Sequence, residues 1–289
     1  MKIAYLSCQD ILSNINAKPE YTLEHSQMVT ALRSAFRDGD SVSDIAWDDK
    51  TIDWRGFDFA IIGTAWDYWD RPEEFIATLL AINSHTVLYN SPGLVQWNFH
   101  KKYLCDLEQK GALVIPTLWH DDPDTLDWSR CFDHFDTDKI VVKRQIGANA
   151  DGQFLLDRSM PDVTITKPVM IQPFVPSIKN EGEYSLIFID GDFSHALLKT
   201  PAADDYRIQS SYGGKEKAVT LSKGDLEAGS RILSMLDQRP LYARVDMVRN
   251  ENGELLVMEL ELIEPFLYPL QGQELGERIR HALYRKART

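Results

Sequence analysis

Segment 241–262 constrains the fold of this chain more than any other part of the sequence. Two runs of alternating side chains, 241–249 and 254–262, flank the four residues Asn250-Glu251-Asn252-Gly253. An Asn- and Gly-rich connection between alternating runs is typical of a β-hairpin. The segment therefore predicts two paired antiparallel strands.

The predicted hairpin has one apolar and one charged face, because successive strand residues point to opposite sides. The apolar face is expected to be core and carries Ala243, Val245, Met247, Leu256, Met258, Leu260 and Leu262. The charged face carries Arg244, Asp246, Glu259 and Glu261. With the turn centred on residues 251–252, Arg244 is expected opposite Glu259, and Asp246 opposite Val257.

The charged face holds three carboxylates, which repel one another unless a positive charge lies between them. Carboxylate oxygens suit a hard divalent cation such as Mg²⁺. Asp246, Glu259 and Glu261 are therefore candidate metal ligands. The alternative is a solvent-exposed strand face on which Arg244 is the counter-charge.

The first ninety residues alternate strand and helix signals. Apolar runs at 2–8, 58–63 and 87–89 predict strands, whereas 23–37 and 72–83 have the features of helices. This alternation predicts a parallel sheet of Rossmann-like kind.

From residue 139 onward longer strand signals dominate, so we expect antiparallel sheets with helices on one face. The strands are predicted at 139–143, 153–156, 169–172, 183–189, 192–199, 241–249 and 254–262, and the helices near 222–237 and 272–285. The whole chain is thus assigned to the α/β class, with α+β lobes after the first domain.

Two lysine-containing segments could bind an anion. A helix predicted over 98–110, with Asn98 as its N-cap, places Lys101 and Lys102 in a first turn, where the helix dipole favours anions. Two solvated lysines are the alternative. Lys143 ends an apolar strand and precedes a loop from Gly147 to Gly152, whose backbone N–H groups could cover phosphates. The spacing of that loop is not that of a P-loop.

Two later segments complete the candidate site. An apolar strand ends at Gln172-Pro173-Phe174-Val175, and the next strand opens with Glu183, which together could form a purine slot with a ribose acceptor. An ordinary loop and strand is the alternative. The polar loop 204–214 contains one arginine, Arg207, and a glycine pair, and so suits a lid over an anionic substrate.

Composition excludes several classes of function. With 44% hydrophobic and 26% charged residues the chain is globular rather than disordered. The net charge of −13 disfavours nucleic acid as a partner, although a local basic pocket can still hold a nucleotide. No apolar run is long enough to span a membrane. The three cysteines lack metal or disulfide spacing, and a reduced, cytoplasmic location is expected.

The order of these features resembles the ATP-grasp superfamily, on its glutathione-synthetase and ribosomal-protein-modifying side. The similarity extends to the small bacterial ATP-grasp ligases that include the cycloserine-forming cyclo-ligase. The segments that carry it are Trp66-Asp67-Tyr68, Trp97-Asn98-Phe99-His100-Lys101, Gly182-Glu183-Tyr184-Ser185 and Glu259-Leu260-Glu261-Leu262-Ile263-Glu264-Pro265. It covers nearly the whole chain and is most specific over 140–265.

The resemblance implies a role for each candidate residue. Lys101 and Lys143, with the loop bounded by Gly147 and Gly152, would hold the ATP phosphates. Gln172, Phe174 and Val175 would form the adenine hinge, and Glu183 would bind the ribose. Asp246, Glu259 and Glu261 would bind one or two Mg²⁺ ions. Arg207 and Arg244 would act in catalysis, with Arg207 meeting the acyl phosphate or the substrate carboxylate. Trp66, Asp67 and Tyr68 would line the acceptor pocket, or else pack between lobes.

The resemblance also implies three domains: a pre-ATP-grasp domain over 1–95, a central ATP-grasp lobe over 96–175, and a C-terminal lobe over 176–289. The implied activity is an ADP-forming ligase that joins small-molecule carboxylate and amine substrates, and the chain could form a homodimer. Two departures affect the substrate: Glu261 and Ser185 stand where glutathione-synthetase relatives usually have asparagine and arginine. A nucleotide-binding protein without ligase activity and a small-molecule kinase remain as alternatives.

Overall fold

The computed structural model describes residues 1–15, 17–147, 152–161, 163–203, 205–208 and 212–288. The strands are β1 (Lys2–Ser7), β2 (Ser41–Ala46), β3 (Phe59–Ile62), β4 (Val87–Tyr89), β5 (Leu118–His120), β6 (Lys139–Arg144), β7 (Phe154–Asp157), β8 (Val169–Pro173), β9 (Glu183–Ile189), β10 (Asp192–Thr200), β11 (Lys215–Ala218), β12 (Tyr242–Arg249) and β13 (Leu255–Glu261). The helices are α1 (Gln9–Ser13), α2 (Pro19–Ala35), α3 (Pro72–Asn83), α4 (Pro92–Asn98), α5 (Tyr103–Gln109), α6 (Trp128–Phe135), α7 (Ser177–Asn180), α8 (Lys223–Ser234) and α9 (Leu275–Lys286).

The first four strands form a parallel sheet in the order β2-β1-β3-β4, which we call the N-terminal sheet. The Rossmann-like prediction is therefore confirmed. β1 and β3 are buried on both faces, which is why they appear in the sequence as unbroken apolar runs. Helix α3 begins with Pro72 at its first position and carries two acids in its first turn, as its sequence predicts.

The rest of the chain forms two antiparallel sheets, in agreement with the prediction. The central sheet has the order β5-β8-β6-β7, and the C-terminal sheet has the order β11-β10-β9-β12-β13. The C-terminal sheet packs one face on an apolar core that includes Leu186, Phe188, Ala243, Val245 and Leu260. Within the described ranges, no helix is long and apolar enough to cross a membrane.

The hairpin β12–β13 has a different register from the predicted one. Arg244 pairs with Glu261 rather than Glu259, and Asp246 pairs with Glu259 rather than Val257. The turn is longer than expected: the N–H of Asn250 donates to the carbonyl oxygen of Glu254 at 2.8 Å.

The observed pairing of Asp246 differs from the predicted one by two residues. The longer turn accounts for one residue of this difference, and a β-bulge accounts for the other. Met247 pairs with Val257 and Asp246 with Glu259, so Met258 is the extra residue on its strand. Because the bulge reverses the alternation, the core face holds Leu255 and Val257 before it and Leu260 and Leu262 after it. The expectation that Leu256 and Met258 belong to that core was wrong, since both pack in another cluster.

The prediction of one helix over 98–110 was wrong. Helix α4 ends at Asn98, and a separate helix, α5, begins at Tyr103. Asn98 is not an N-cap. Its amide donates to the carbonyl oxygen of Leu260 at 2.8 Å and accepts from the N–H of Leu262 at 3.0 Å. Lys101 consequently lies in the connection between α4 and α5 and not in a first helical turn.

Two buried side chains bind the N-terminal sheet to the C-terminal sheet: Asn90, which directly follows β4, and Tyr242, the first residue of β12. The Asn90 amide donates to the carbonyl oxygens of Tyr242 and Leu262 at 2.9 and 2.8 Å. The Tyr242 hydroxyl lies 2.9 and 2.8 Å from the carbonyl oxygens of Ile62 and Ile263. These groups are buried, where hydrogen bonds are strongest and costly to leave unmade.

Candidate active site

A pocket lies between the central and C-terminal sheets. Its lining joins residues from both sheets and from the segments between them: Ile115, Val141, Lys143, Gln153, Gln172, Pro173, Phe174, Val175, Ile178, Glu183, Tyr206, Arg207, Ile208, Val248, Met258 and Glu259.

One end of the pocket is apolar. Ile115, Ile178, Ile208 and Val248 form a buried cluster there, and the partly buried Phe174, Val175, Leu256 and Met258 pack against it. The predicted hinge residues Gln172, Phe174 and Val175 all line this end. The Gln172 amide donates to the Thr117 hydroxyl at 2.9 Å, and the Phe174 N–H donates to the Lys139 carbonyl oxygen at 2.9 Å. The hinge backbone is thus fixed by the central sheet.

The other end of the pocket is charged, and it brings together Lys143, Glu183 and Glu259. Lys143 comes from β6 of the central sheet, and the two acids come from β9 and β13 of the C-terminal sheet. Burial lowers the pKa of Lys143, although Glu259 opposes that shift. No described residue forms a salt bridge with Lys143, so an anion would stabilise its charged form.

Asp246 is at the centre of the acidic cluster and is 3% exposed. It accepts from the Arg244 guanidinium at 2.9 Å, from the Ser185 hydroxyl, and from Lys199 Nζ at 3.4 Å. Burial would raise the pKa of Asp246, but Arg244 and Lys199 outweigh it and lower the pKa to about 2. Asp246 is therefore a fixed negative charge.

The two β13 acids each have a cationic partner. Lys101 Nζ pairs with Glu259, and the Arg244 guanidinium pairs with Glu261. Burial raises the pKa of Glu261 to about 7, against the opposing charge of Arg244. The predicted charged face is thus confirmed as one cluster, and the bulge at Met258 is what sets Glu259 beside Asp246.

The cluster has the donor chemistry for a hard divalent cation, since Asp246, Glu259 and Glu261 offer only carboxylate oxygens. Among the described residues, however, no three acidic, histidine or cysteine side chains converge closely enough to hold an ion as they stand. Lys101 and Arg244 lie between the acids in this conformation. The residues fit a Mg²⁺ ion in chemistry, and the metal assignment remains a prediction.

Lys199 is a site residue that the sequence analysis missed. It is 4% exposed, and its Nζ lies 2.9 Å from Glu183 and 3.4 Å from Asp246. Burial raises the pKa of Glu183 to about 7, although Lys199 opposes the shift. The only sequence signal for Lys199 is a charge placed directly after the buried run Ala196-Leu197-Leu198.

The glycine-loop prediction falls only partly on described residues. Gly147 has φ of +145° and Gly152 has φ of +65°, and 148–151 lie outside the described ranges. A Cβ at Gly152 would lie 2.4 Å from Nε of Arg144. The positive φ favours glycine at 152, whereas the steric contact involves only the far end of the flexible Arg144 side chain.

Arg207 lines the pocket, and its role in a lid over an anionic substrate stays a prediction. It pairs with Asp205 at 2.8 Å, and its guanidinium stacks on the Tyr212 ring at 3.6 Å. Asp204 and 209–211 of the same loop lie outside the described residues.

Segment 66–68 lies at the junction between the N-terminal sheet and the C-terminal sheet. Trp66 Nε1 donates to the Glu264 carbonyl oxygen at 3.0 Å, and the buried Tyr68 ring packs against Phe75 and Phe99. Asp67 instead accepts from Trp47 Nε1 at 2.7 Å and from Arg71 at 2.8 Å. The three residues thus make interdomain and local contacts, and an acceptor role for them remains a prediction.

Two family descriptions match separate parts of the chain. Residues 3–90 match the N-terminal domain of D-cycloserine synthetase DcsG, and residues 143–259 match the ATP-grasp domain of prokaryotic glutathione synthetase. The second match contains the hinge residues of the pocket and the acids Glu183 and Asp246, and it runs from Lys143 to Glu259. The chain is a member of the ATP-grasp ligases.

Curated relatives of this ATP-grasp ligase divide into two kinds. The cycloserine biosynthesis protein DcsG of Streptomyces lavendulae is 29% identical over 257 residues, covering 82% of this chain and 86% of that protein. The glutathione synthetase of Bradyrhizobium diazoefficiens is 26% identical over 189 residues, covering 61% of this chain and 57% of that enzyme. The match to that glutathione synthetase thus spans little more than half of its length.

Solved structures show the same fold over the full length of the ligase. The crystal structure of D-cycloserine synthetase DcsG superposes with a TM-score of 0.82 at 24% identity and covers 99% of both chains. D-alanine–D-alanine ligase from Bacillus anthracis superposes with a TM-score of 0.69 at 16% identity, covering 99% of this chain and 96% of that one. The predicted ATP-grasp fold with an N-terminal Rossmann-like domain is confirmed.

Proposed function

We propose that this ATP-grasp ligase joins a small amino-acid-like carboxylate to an amine through an acyl phosphate, with ATP and Mg²⁺ as cofactors. The γ-phosphoryl group of ATP would pass to a carboxylate oxygen of the first substrate, leaving ADP. The amine nitrogen would then attack the carbonyl carbon, the C–O bond to phosphate would break, and inorganic phosphate would leave. A related nucleophile, or closure of a ring within one substrate, would follow the same steps.

The observation that carries this proposal is the polarity of the pocket between the two sheets. An apolar slot suited to a base runs into a charged end that holds both Lys143 and Glu259. ATP is arranged in the same order, because its flat base is followed by a chain of anionic phosphates. Separate sheets supply the cation and the acids, so the phosphates would lie between them.

The proposed roles follow from these positions. Gln172, Phe174 and Val175 would hold the adenine, and Glu183 would contact the ribose. Lys101 and Lys143 would contact phosphates, with N–H groups of the Gly147–Gly152 loop above them. Asp246, Glu259 and Glu261 would hold Mg²⁺, which when bound offsets charge on the phosphates.

The two arginines would act at the acyl group. Arg244 already lies among the acids and donates through Nη1 to the Phe266 carbonyl oxygen at 3.1 Å, so its guanidinium is held in place. A cation fixed there would stabilise charge that develops on the acyl oxygen. Arg207, on the polar loop, would meet the acyl phosphate or the substrate carboxylate.

The substrate class is supported by the relatives. The names of these relatives refer to cycloserine, glutathione and D-alanine–D-alanine, which are small amino-acid or peptide compounds. The N-terminal match to DcsG concerns the domain that carries segment 66–68. We therefore propose a free amino acid or a short peptide as the carboxylate substrate.

Titration calorimetry with a non-hydrolysable ATP analogue, with and without Mg²⁺, tests the nucleotide site. Mg²⁺-dependent binding supports the proposal, whereas no binding at millimolar analogue contradicts it. A screen of amino acids and short peptides with ATP, Mg²⁺ and mixed amines then tests the reaction by ADP release and mass spectrometry. A ligated or cyclised product supports a ligase, and a phosphorylated product that persists would identify a kinase instead.

A further inference from the structure

Tyr268, in the loop after β13, contacts both cations that bond to Asp246. The centre of its ring lies 5.7 Å from Cζ of Arg244 and 5.5 Å from Nζ of Lys199. Both distances are within the range over which an aromatic ring attracts a cation. Tyr268 is buried, and Phe266 packs edge-on against it at 4.6 Å between ring centres. The ring is therefore a direct neighbour of the acidic cluster.

The backbone conformation of Tyr268 is unusual for its residue type. Its φ is +51°, in the left-handed region that favours glycine. In the part of the chain that the structure describes, the other non-glycine residues with positive φ are Asn14, Asp38, Asp136 and Asp190. Their short polar side chains tolerate this conformation, whereas a bulky side chain is strained there, and such strain is concentrated at functional sites. The chain thus keeps an aromatic ring where asparagine or glycine would suit the backbone better.

The backbone of segment 266–268 is fixed on both sides of this ring. Its middle carbonyl oxygen lies 3.0 Å from Nε2 of His195 on β10. Its last carbonyl oxygen accepts from the N–H groups of Gln271 and Gly272, both at 3.0 Å. The segment is thus held against the C-terminal sheet and by its own turn.

Two sets of groups hold the guanidinium of Arg244. The first is acidic, since Arg244 donates to Asp246 at 2.9 Å and to Glu261. The second is segment 266–268, which supplies a carbonyl oxygen 3.1 Å from Nη1 and the ring of Tyr268. Asp246 and Glu261 are predicted Mg²⁺ ligands, so Arg244 would share their oxygens with the ion. Segment 266–268 would then be the set that still holds the guanidinium.

We propose that Tyr268 is a positioning residue whose ring keeps the Arg244 guanidinium at the acyl group while the acids bind Mg²⁺. This inference rests on the proposed function. Tyr268 contacts Arg244 rather than the reacting atoms. An aromatic ring suits this task because its face attracts a cation, whereas a carboxylate in the same place would also attract the hard metal ion.

The first test separates the ring from the backbone and from the hydroxyl group. Y268F keeps the ring, Y268L removes it, and Y268N removes it while suiting the left-handed backbone. With the substrates found by the screen above, Y268L and Y268N should lower kcat by about tenfold to a hundredfold, because misplacing a catalytic group has an effect of this size. Y268F should keep the wild-type kcat. The KM for ATP and the Mg²⁺-dependent affinity for the ATP analogue should stay at wild-type values in all three variants.

Y184L is the matched control. The ring of Tyr184 lies 5.2 Å from Cζ of Arg249, which is on the same strand as Arg244 but belongs to none of the proposed roles. The variant therefore removes an equivalent contact between a ring and an arginine, and it should keep the wild-type kcat. Thermal unfolding of both leucine variants measures the loss of stability that each substitution causes.

A second readout follows Arg244 without catalysis. NMR of protein labelled with ¹⁵N-arginine measures solvent exchange at the Arg244 Nε–H group, which R244K identifies by the loss of its signal. With Mg²⁺ and the ATP analogue bound, exchange should stay slow in the wild type and in Y268F. It should become roughly tenfold faster in Y268L, as expected for loss of a desolvated contact between a ring and a cation.

The outcomes separate this inference from the proposed function. If the wild-type enzyme releases no ADP with any acid and amine, the proposed function fails and this inference fails with it. If the wild type is active and Y268L keeps its kcat, or loses kcat while Arg244 exchange stays slow, only the role of Tyr268 is overturned. A loss in Y268F as large as in Y268L also overturns it, because the ring is unchanged there. A fall in kcat that follows thermal stability across Y268L and Y184L would identify general damage and overturn it as well.

Discussion

The central and C-terminal sheets each place a lysine at the candidate site, but in opposite electrostatic settings. Lys199 on the C-terminal sheet lies between Glu183 and Asp246, and its pKa is raised by those acids against the effect of burial. Lys143 on the central sheet has no salt-bridge partner among the described residues, and burial lowers its pKa.

Acids of the protein itself already neutralise the charge of Lys199, whereas no described residue forms a salt bridge that would neutralise Lys143. Lys199 stabilises the acids of its own sheet whether or not a ligand is bound. Lys143 bears a desolvated charge that an anion would satisfy. We therefore expect Lys143, rather than Lys199, to bind a phosphate group of the nucleotide.

The largest effect is expected from E259Q, which removes one of the acids of the C-terminal sheet. Removing one carboxylate charge should abolish Mg²⁺-dependent ATP turnover while the fold stays intact, because the remaining acids would hold the ion poorly. ADP release and thermal unfolding measure the two effects, with E254Q in the exposed hairpin turn as control. An E259Q protein of normal stability and normal turnover would remove the metal assignment.

The next largest effect should be the loss of stability in K199M. The substitution leaves Glu183 and Asp246 buried with less positive charge, and breaking a buried pair in this way costs about 3–5 kcal/mol. K143M should keep or gain stability, because it removes a buried charge that has no salt-bridge partner among the described residues. Urea unfolding measures the change in the free energy of unfolding of each variant. Equal losses in the two variants would show that the two lysines do not differ in this way.

K143M should instead weaken binding of the ATP analogue. Loss of one charge-assisted hydrogen bond corresponds to about 1.5–3 kcal/mol, or roughly tenfold to a hundredfold in affinity. K139M is the matched control, because Lys139 is exposed at the start of the same strand. Unchanged affinity in K143M, measured by calorimetry, would refute the phosphate role.

The smallest expected effect is a pH dependence of opposite sign at the two lysines. The fold disfavours charged Lys143, so that penalty disappears and stability rises as pH increases through its lowered pKa towards about 10.4. The contribution of Lys199 is present below about 10.4 and is lost only as pH rises through its raised pKa. The stability advantage of K143M over wild type should therefore shrink between neutral pH and about pH 10, while the deficit of K199M persists.

Much of the fold could be predicted because each element carries its own pattern. The apolar runs of β1 and β3 predicted buried parallel strands, and the charged face of the hairpin was identified from alternation alone. The register was not predictable, because the bulge at Met258 depends on pairing across the strands rather than on the composition of either strand. The helix error at Asn98 has a similar origin, since its amide bonds a strand more than 160 residues away.

Site residues were predictable where they stood in a local motif. Glu259 and Glu261 belong to an unusual acidic alternation, and Lys143 precedes a glycine-containing loop. Lys199 was missed because its partners lie on other strands, 16 and 47 residues away. Its sequence surroundings resemble the end of any amphipathic strand, so only the assembled sheet shows what it does.

The hydrogen bonds of Asn90, Asn98 and Tyr242 have a mechanical consequence. Asn90 and Tyr242 tie the N-terminal domain to β12 and to the residues just beyond β13, and Asn98 ties α4 to β13 and Leu262, all through buried contacts. A force that pulls on the N-terminal domain would therefore pass directly into β12 and β13, and the N-terminal and C-terminal sheets should move together as one stiff body.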